Sequence, residues 1–276
     1  MGRKVLIAIA GKKKKNMLHV IKRIARKSIK AALGVVGLEV VSKAHHWQDV
    51  KQFIPFEETM AGAKEAGLSL GAYIDVKHNV PGATQAVHDQ LAGFGIFNER
   101  IDRVCEIGPG SGRYLEKTLQ ACKPSHYEVY ETARPWADWL NKTYHVVCLP
   151  TDGKTLAATP SASIDLIQAH KVFVVTLFLT TCSYFQEIVR VTRPGAWIIF
   201  DIMTEDCMDT YNLDPWIKTG LNDRTYPAIM PKNFAIDFFQ KHGIGFVGSF
   251  LVPMKPGKTE CMVFRKQGSP KADPCN

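Results

Sequence analysis

The chain has 276 residues and a formal net charge of +9 at pH 7, and 46% of its residues are hydrophobic. These totals are ordinary for a globular protein with one large domain and an appendage. No run reaches 18 consecutive apolar residues, so the sequence predicts no membrane-spanning helix, and the first residues match neither a secretory signal nor a myristoylation pattern. The seven cysteines form no C-x-x-C pair and no zinc-binding spacing, which favours reduced thiols and a cytoplasmic protein.

The basic character belongs to an N-terminal arm, residues 1–43. This arm holds twelve Lys or Arg residues and one acid, Glu39, whereas the remaining chain has 23 basic and 25 acidic residues. Apolar residues recur at intervals of three and four between Met17 and Ala32, which predicts an amphipathic helix with a basic face. Three interpretations stay open: a packed helix with a solvated basic face, a helix on an anionic membrane, and an arm for nucleic acid. The near-neutral charge of the remaining chain disfavours nucleic acid as a partner.

Residues 44–100 form a mixed region, in which predicted helical segments are interrupted by proline and glycine. The segment ATQAVHDQLAGF predicts a helix that leads directly into a glycine-rich run. We therefore predict a helical cap over residues 44–100, a main domain over residues 101–267, and a flexible tail over residues 268–276.

Strand and helix patterns alternate from residue 102 onward. Short apolar segments such as RVCEI, HYEVYE, IDLIQAH and AWIIFDIM predict strands, and the segments between them predict helices. Only PMKPGKT separates the last two predicted strands, which is too short for a parallel crossover, so these strands should pair as a hairpin. The fold class predicted is α/β, a doubly wound, mostly parallel seven-stranded sheet with helices on both faces and a C-terminal antiparallel hairpin.

The glycine-rich run VCEIGPGSG follows the first of these strands. Gly108, Gly110 and Gly112 carry no side chains, so they permit positive φ angles and let a ligand approach the main chain. A dinucleotide site would place a third glycine where Arg113 stands. Glu106 is unfavourable beside a doubly anionic pyrophosphate and suits a ligand with a cationic end.

These motifs, taken in order, resemble those of class I methyltransferases that use S-adenosylmethionine (SAM). The resemblance covers residues 102 to about 265 and includes the glycine run, YEVYE, LPTDG, SIDLIQAH and the RPG turn. It implies SAM as cofactor and S-adenosylhomocysteine (SAH) as product, with Glu106 and the three glycines in the cofactor site. It further implies that Glu131, which lies 19 residues beyond Gly112, binds the ribose, and that Asp152 and Gly153 lie near the adenine.

Two side chains at strand ends are the catalytic candidates. His170 ends the fourth strand, where the resemblance places the methyl group, and we expect it to act as general base toward an oxygen nucleophile. Asp201 ends the fifth strand and would orient His170 or hold an acceptor hydroxyl. The alternative is that either residue merely caps its strand or loop, and His78 and His88 are weaker candidates. No cluster of acids follows the fourth strand, so no metal is predicted.

The acceptor is less defined than the cofactor. QAHK stands where amino-methylating enzymes of this kind carry an NPPY-type motif, which disfavours amino acceptors. The basic arm is loosely similar to the N-terminal arms of bacterial methyltransferases that modify cell-surface polysaccharides and glycolipids. We therefore expect O-methylation of a sugar or glycolipid, with a small metabolite or lipid acceptor (O- or N-methylated) as the first alternative. A catalytically inert SAM-binding module is the alternative from another class, and oligomeric state is not predicted.

Overall fold

The computed structural model describes residues 54–209, 213–220, 227–255 and 257–268. These residues all lie in one compact unit, Val50–Asn276. The predicted basic arm and all but the first residue of the predicted tail lie outside the described residues. Within the described part of the chain, every helix is too short or too polar to cross a membrane.

Seven strands form a single mixed sheet, as predicted. Their order in the sheet is β3-β2-β1-β4-β5-β7-β6. The pairs from β3 to β5 are parallel, and β7 runs antiparallel to both β5 and β6, which confirms the predicted hairpin. The strands are β1 Arg103–Ile107, β2 His126–Tyr130, β3 Val147–Cys148, β4 Ile164–Ala169, β5 Thr192–Ile202, β6 Ile244–Pro253 and β7 Lys258–Lys266.

Helices cover both faces of the sheet. They are α1 Phe56–Glu65, α2 Leu70–His78, α3 Ala83–Gly93, α4 Arg113–Cys122, α5 Arg134–Tyr144, α6 Phe178–Val191, α7 Leu213–Gly220 and α8 Lys232–Gln240. Alternate residues of β1 contribute to two different cores, because Val104 packs with α3, α4 and α5, whereas Cys105 packs with α6 and α8. Side chains of a strand point alternately to opposite faces, so these two cores mark the two sides of the sheet.

The start of β5 differs from the prediction. The RPG residues were expected to form a turn before the strand, but β5 begins earlier, at Thr192, and includes them. Thr192 pairs with Ile164, the register then shifts, and pairing resumes at Trp197 with Leu166. Gly195, with a φ of +83°, lies in this irregular stretch. The RPG segment therefore forms an irregular strand entry rather than a separate turn.

The cap region is helical from residue 56, and α2 is tied to α4 by a buried ion pair. Arg113 Nη1 donates to Asp75 Oδ1 over 2.6 Å, and Asp75 also accepts from the backbone N and the hydroxyl of Thr84. On the hairpin side, the ammonium of Lys255 donates to the carbonyl of Val76 over 2.7 Å. These contacts hold the cap helices against the carboxyl-terminal side of β1 and against the hairpin.

The sheet order reverses direction at β1, which has β2 on one side and β4 on the other. In doubly wound sheets, ligands bind in the crevice beyond the carboxyl ends of the strands at such a reversal. The segments that follow β1, β2, β3 and β4 carry most of the candidate residues, so the topology brings them to one edge of the sheet.

Candidate functional site

The glycine turn after β1 is bonded to the end of β2. The backbone N of Gly108 donates to the carbonyl of Tyr130 over 2.9 Å, and the backbone N of Gly110 donates to Glu131 Oε2 over 2.8 Å. Gly108, Gly110 and Gly112 have φ angles of +60°, +52° and +72°, which only glycine adopts readily. The structure therefore brings Glu131 and the central glycine of the predicted motif into direct contact.

The three glycines are required for different reasons. A Cβ on Gly108 would lie 2.7 Å from Val172 Cγ2, and a Cβ on Gly112 would lie 2.7 Å from Leu140 Cδ2. A Cβ on Gly110 would meet no atom of the described residues within 4 Å. Gly108 and Gly112 thus permit close packing of the protein on itself, whereas Gly110 exposes bare main chain toward open space where a ligand can approach.

Glu131 uses part of its acceptor capacity on the main chain. Its Oε2 accepts from Gly110, and its Oε1 accepts from the backbone N of Ala133 over 2.7 Å. Burial raises the pKa of this carboxyl, and the backbone hydrogen bonds oppose that rise. The backbone of Thr132 is a third hydrogen-bond donor to it. A carboxylate has about four acceptor positions, so Glu131 retains acceptor capacity for a ligand hydroxyl.

Asp152 and Gly153 follow β3, as predicted. The carboxylate of Asp152, however, accepts hydrogen bonds from the backbone of its own loop. Its Oδ1 accepts from the backbone N of Lys154 and of Thr155, each over 2.8 Å. Burial acts to raise the pKa of Asp152, but these hydrogen bonds outweigh it and lower the pKa. Gly153 has a φ of +73° and donates to Thr151 Oγ1 over 3.1 Å. Contact of either residue with an adenine stays a prediction.

Tyr184, on α6, is a neighbour of this loop that sequence reasoning missed. Its hydroxyl interacts with Thr151, and the carboxylates of Asp152 and Glu131 both act on it electrostatically. Burial is the main reason that its pKa is raised. The segment CSYF around Tyr184 looks like any amphipathic helix, so the sequence carried no signal for this position.

Glu106 lies beneath the glycine turn, on the face of the sheet covered by α4. Its Oε2 accepts a hydrogen bond from the Tyr127 hydroxyl over 2.5 Å, and that hydroxyl accepts from Gln168 Nε2 over 2.9 Å. The residue is only 1% exposed, and burial raises its pKa to about 7. Its predicted pairing with a cationic ligand group stays a prediction, since its carboxylate is enclosed by protein in this structure.

His170 and Asp201 lie next to each other beyond β4 and at the end of β5. The distance from His170 Nδ1 to Asp201 Oδ2 is 4.0 Å, which is too long for a hydrogen bond. Asp201 Oδ2 instead accepts from the backbone N of Lys171 over 3.1 Å and lies 3.3 Å from its ammonium. The structure thus brings the two predicted residues together, but it pairs the aspartate with the lysine.

The imidazole of His170 is neutral and has no hydrogen-bonding partner at Nδ1 among the described residues. Burial lowers the pKa of His170 to about 4, although Asp201 acts to raise it. Its ring stacks on Tyr114, with 3.9 Å between ring centroids. His78 and His88 lie on α2 and α3, where His88 stacks on Phe97.

Lys171 is a further residue that sequence reasoning missed. Its φ of +62° is rare outside glycine, and residues in such backbone conformations cluster at functional sites. The ammonium also donates to the hydroxyl of Thr259 on β7. His170, Asp201 and Cys261 offer three possible metal-ligand atoms within 4.8 Å of one another. Because the Lys171 ammonium already neutralises Asp201, the arrangement fits an internal ion pair better than a cation site.

No family model and no curated protein matches the chain, whereas solved structures do. Magnesium protoporphyrin IX methyltransferase from Synechocystis PCC 6803, solved with bound SAH, matches at 10% identity and a TM-score of 0.53, over 71% of this chain and 86% of that one. An O-methyltransferase family protein from Burkholderia thailandensis matches at 14% identity and a TM-score of 0.53, over 68% of this chain and 57% of that one. The cyclase SpnF matches at 11% identity and a TM-score of 0.51, over 67% of this chain and 81% of that one.

These similarities establish the fold. The chain has the α/β fold of class I SAM-dependent methyltransferases, which confirms the fold that the sequence motifs implied. One of the three neighbours is a cyclase, so the fold by itself does not fix the reaction.

The enclosed carboxyl of Glu106 yields a stability prediction. Its folded-state pKa of about 7 exceeds the ordinary value of 4.5, so the folded chain holds a proton that the unfolded chain releases between those two values. Stability should therefore fall as the pH rises from 4.5 through 7. We expect Glu106→Gln to remove this fall and to stabilise the ligand-free chain at pH 8 by about 1–3 kcal/mol.

The measurement is urea unfolding of both chains between pH 4.5 and 8. Parallel stability profiles for the two chains would show that Glu106 titrates normally and would contradict the prediction. Equal stability at pH 4.5, where the carboxyl is largely protonated, serves as the internal control.

Proposed function

We propose that the chain is a SAM-dependent methyltransferase that methylates an acceptor hydroxyl. The observation that carries this proposal is the glycine turn. Gly110 presents bare main chain to open space and is bonded to the one carboxylate, Glu131, that follows β2. The topology places this turn at the strand-order reversal, and structures with the same fold include a methyltransferase with bound SAH.

The described residues fit the proposed cofactor. Gly110 would lie against it, the remaining acceptor positions of Glu131 would take ribose hydroxyls, and the Asp152–Gly153 loop would lie near the adenine. When bound, SAM supplies a methyl carbon made electrophilic by its sulfonium, and the carbon–sulfur electron pair leaves with the sulfur.

His170 is proposed as the general base. A hydroxyl has a pKa far above 7, so its proton must leave as the oxygen–carbon bond forms. The neutral Nδ1 of His170 takes that proton, and the adjacent Asp201 carboxylate stabilises the resulting imidazolium. A base with a pKa near 4 is weak in the free chain, and this pKa already includes the raising effect of Asp201 and the lowering effects of Lys171 and Arg113.

The acceptor proposed is a sugar or glycolipid hydroxyl, and a small metabolite or lipid is the alternative. Support comes from the sequence: the QAHK segment disfavours amino acceptors, and the basic arm is similar to those of glycan-modifying methyltransferases. N-methyltransferases are also among the matched structures, which keeps the alternative open. A catalytically inert SAM-binding module is the second candidate, favoured by the low pKa of His170, which makes it a weak base.

We also propose that the basic arm binds anionic membrane. Twelve basic residues and one acid within 43 residues give a strong local positive charge, which attracts anionic lipid headgroups. The main domain is nearly neutral, so membrane binding would depend on the arm.

The cofactor proposal is tested by thermal unfolding with SAH. Ligand at 100 times its dissociation constant should stabilise the wild-type chain by about 2.7 kcal/mol. Gly110→Ala should lose most of this shift, because the new methyl group occupies the open space above the turn. Gly67→Ala is the matched control, since Gly67 also has a positive φ, +64°, with nothing within 4 Å of its Cβ position, but lies at the end of α1.

Both glycine variants should lose a similar 1–2 kcal/mol from backbone strain alone. A wild-type chain that shows no shift in millimolar SAH, or a Gly110→Ala chain that shifts fully, would contradict the proposal.

The base is tested by labelled methyl transfer from SAM into fractions of cell glycans, lipids and extracts. His170→Ala should lower turnover about 10² to 10⁴ fold, while the SAH-induced shift is retained. His242 is an exposed histidine in the turn after α8, and His242→Ala should leave turnover unchanged. Because burial lowers the pKa of His170 to about 4, the acid limb of the wild-type rate profile should lie near pH 4 rather than near 6.5.

If His170→Ala retains wild-type turnover, His170 is not the base. If no fraction accepts a methyl group although SAH binds, the inert binding module is favoured instead.

The membrane proposal is tested by vesicle flotation at low salt. Deletion of residues 1–43 should abolish binding to vesicles rich in phosphatidylserine, because almost all of the excess positive charge is removed. Vesicles of phosphatidylcholine alone should bind neither chain, and the truncated chain should keep its SAH-induced shift. Equal binding by the truncated and full chains would disprove the role of the arm.

A further inference from the structure

Three buried polar atoms beyond β4 and β5 have no hydrogen-bonding partner among the described residues. They are the Tyr114 hydroxyl, His170 Nδ1 and Asp201 Oδ1. Their residues are 6%, 7% and 0% exposed. A buried polar atom without a partner costs about 1–3 kcal/mol, so three in one place require an explanation.

The three side chains are neighbours. The Tyr114 ring stacks on the His170 ring at 3.9 Å with 21° between planes. Asp201 Oδ2, the oxygen that Lys171 binds, lies 4.0 Å from His170 Nδ1, and the unpartnered Oδ1 belongs to the same carboxylate. The Cys261 thiol, a weak donor, lies beside the same carboxylate.

Tyr114 is held in place by packing and charge, not by its hydroxyl. The Arg113 guanidinium lies over its ring, 4.8 Å from the centroid, and is itself fixed by the 2.6 Å contact with Asp75 of the cap. Burial raises the pKa of Tyr114, so its hydroxyl stays protonated and available as a donor.

The charges around this cluster cancel in pairs. The Lys171 ammonium faces Asp201, and the Arg113 guanidinium faces Asp75. An ammonium or carboxylate group on the ligand would therefore face no unpaired opposite charge here. A neutral hydroxyl fits instead, because it accepts one hydrogen bond and donates another.

We propose that Tyr114 is an acceptor-binding residue that donates its hydroxyl hydrogen to the oxygen to be methylated, beside His170 Nδ1 and Asp201 Oδ1. The acceptor is accordingly a neutral alcohol rather than an amine or a carboxylate. This inference rests on the proposed methyltransferase function and adds to it the charge class of the acceptor and a residue that recognises it.

Tyr114→Phe tests the inference, because it removes only the hydroxyl and keeps the stacked ring. In the free chain the hydroxyl has no partner within the described ranges, so the variant should unfold at the same or a higher urea concentration. With the extract fraction that the wild-type chain methylates as the probe, kcat/KM should fall about tenfold, the equivalent of one lost hydrogen bond. The SAH-induced thermal shift should be unchanged.

Thr192→Val is the matched control, since it also removes only a buried hydroxyl. The Thr192 hydroxyl is hydrogen-bonded to the carbonyl of Ile188 over 2.7 Å, at the start of β5 and away from the candidate site. The control variant should be less stable than the wild-type chain but keep its kcat/KM. Tyr114→Phe should instead keep its stability and lose kcat/KM.

Each outcome is informative. If Tyr114→Phe loses stability as the control does, the hydroxyl has a structural role. If Tyr114→Phe keeps the wild-type kcat/KM, the hydroxyl does not contact the acceptor. Either result overturns the inference. A methylated fraction in which the wild-type chain modifies amines would also overturn it. Failure of the wild-type chain to bind SAH would instead overturn the proposed function, and the inference with it.

Discussion

The hydrogen bond between the Glu131 carboxylate and the backbone N of Gly110 is the contact on which the crevice depends. It joins the tip of the turn after β1 to the residue that follows β2, and the Gly108–Tyr130 backbone bond completes the connection. A turn with three positive φ angles has no regular hydrogen-bond ladder of its own, so these contacts fix its shape. The proposed ribose contact would use the remaining acceptor capacity of the same carboxylate. One residue would thus both shape the turn and bind the ligand.

A second constraint governs the chemistry beyond β4. Asp201 is ionised and is paired with Lys171 through both the ammonium and the backbone N, and the Arg113–Asp75 pair stands on the cap side. His170 is left between two satisfied ion pairs and is neutral because burial disfavours its charged form. In such a site of low effective dielectric, a proton or hydroxyl that arrives at His170 interacts strongly with Asp201. Because Lys171 pairs with Asp201 and Arg113 pairs with Asp75, the site would prefer a neutral acceptor over a charged one.

Much of the fold could be predicted because it depends on patterns local in sequence. Apolar runs located the strands, and the short final loop identified the hairpin. The ends of β1 and β2 were expected to lie side by side, but the hydrogen bond from Gly110 to Glu131 was not predicted, and the ribose contact of Glu131 stays a prediction. The hydrogen-bonding partners of the side chains could not be predicted. Asp201 accepts from Lys171 rather than from His170, and Asp152 accepts from the backbone of its own loop. The Arg113–Asp75 pair joins residues 38 positions apart, and no local pattern encodes it.

Several features that cost free energy in the ligand-free chain lie close together at one edge of the sheet. Lys171 has a positive φ, Glu106 is enclosed with a pKa near 7, and Tyr114, His170 and Asp201 carry unpartnered polar atoms. All five lie near the carboxyl ends of β1, β4 and β5. Similar features also occur elsewhere among the described residues, such as the positive φ angles of Lys123 and His145 and the unpartnered side-chain nitrogens of Arg103 and Trp197. A chain selected only for stability would replace these groups with apolar ones, since each costs free energy in the ligand-free state. The five at this edge lie where the strand order reverses, the place where ligands bind in doubly wound sheets, and this coincidence supports a function there.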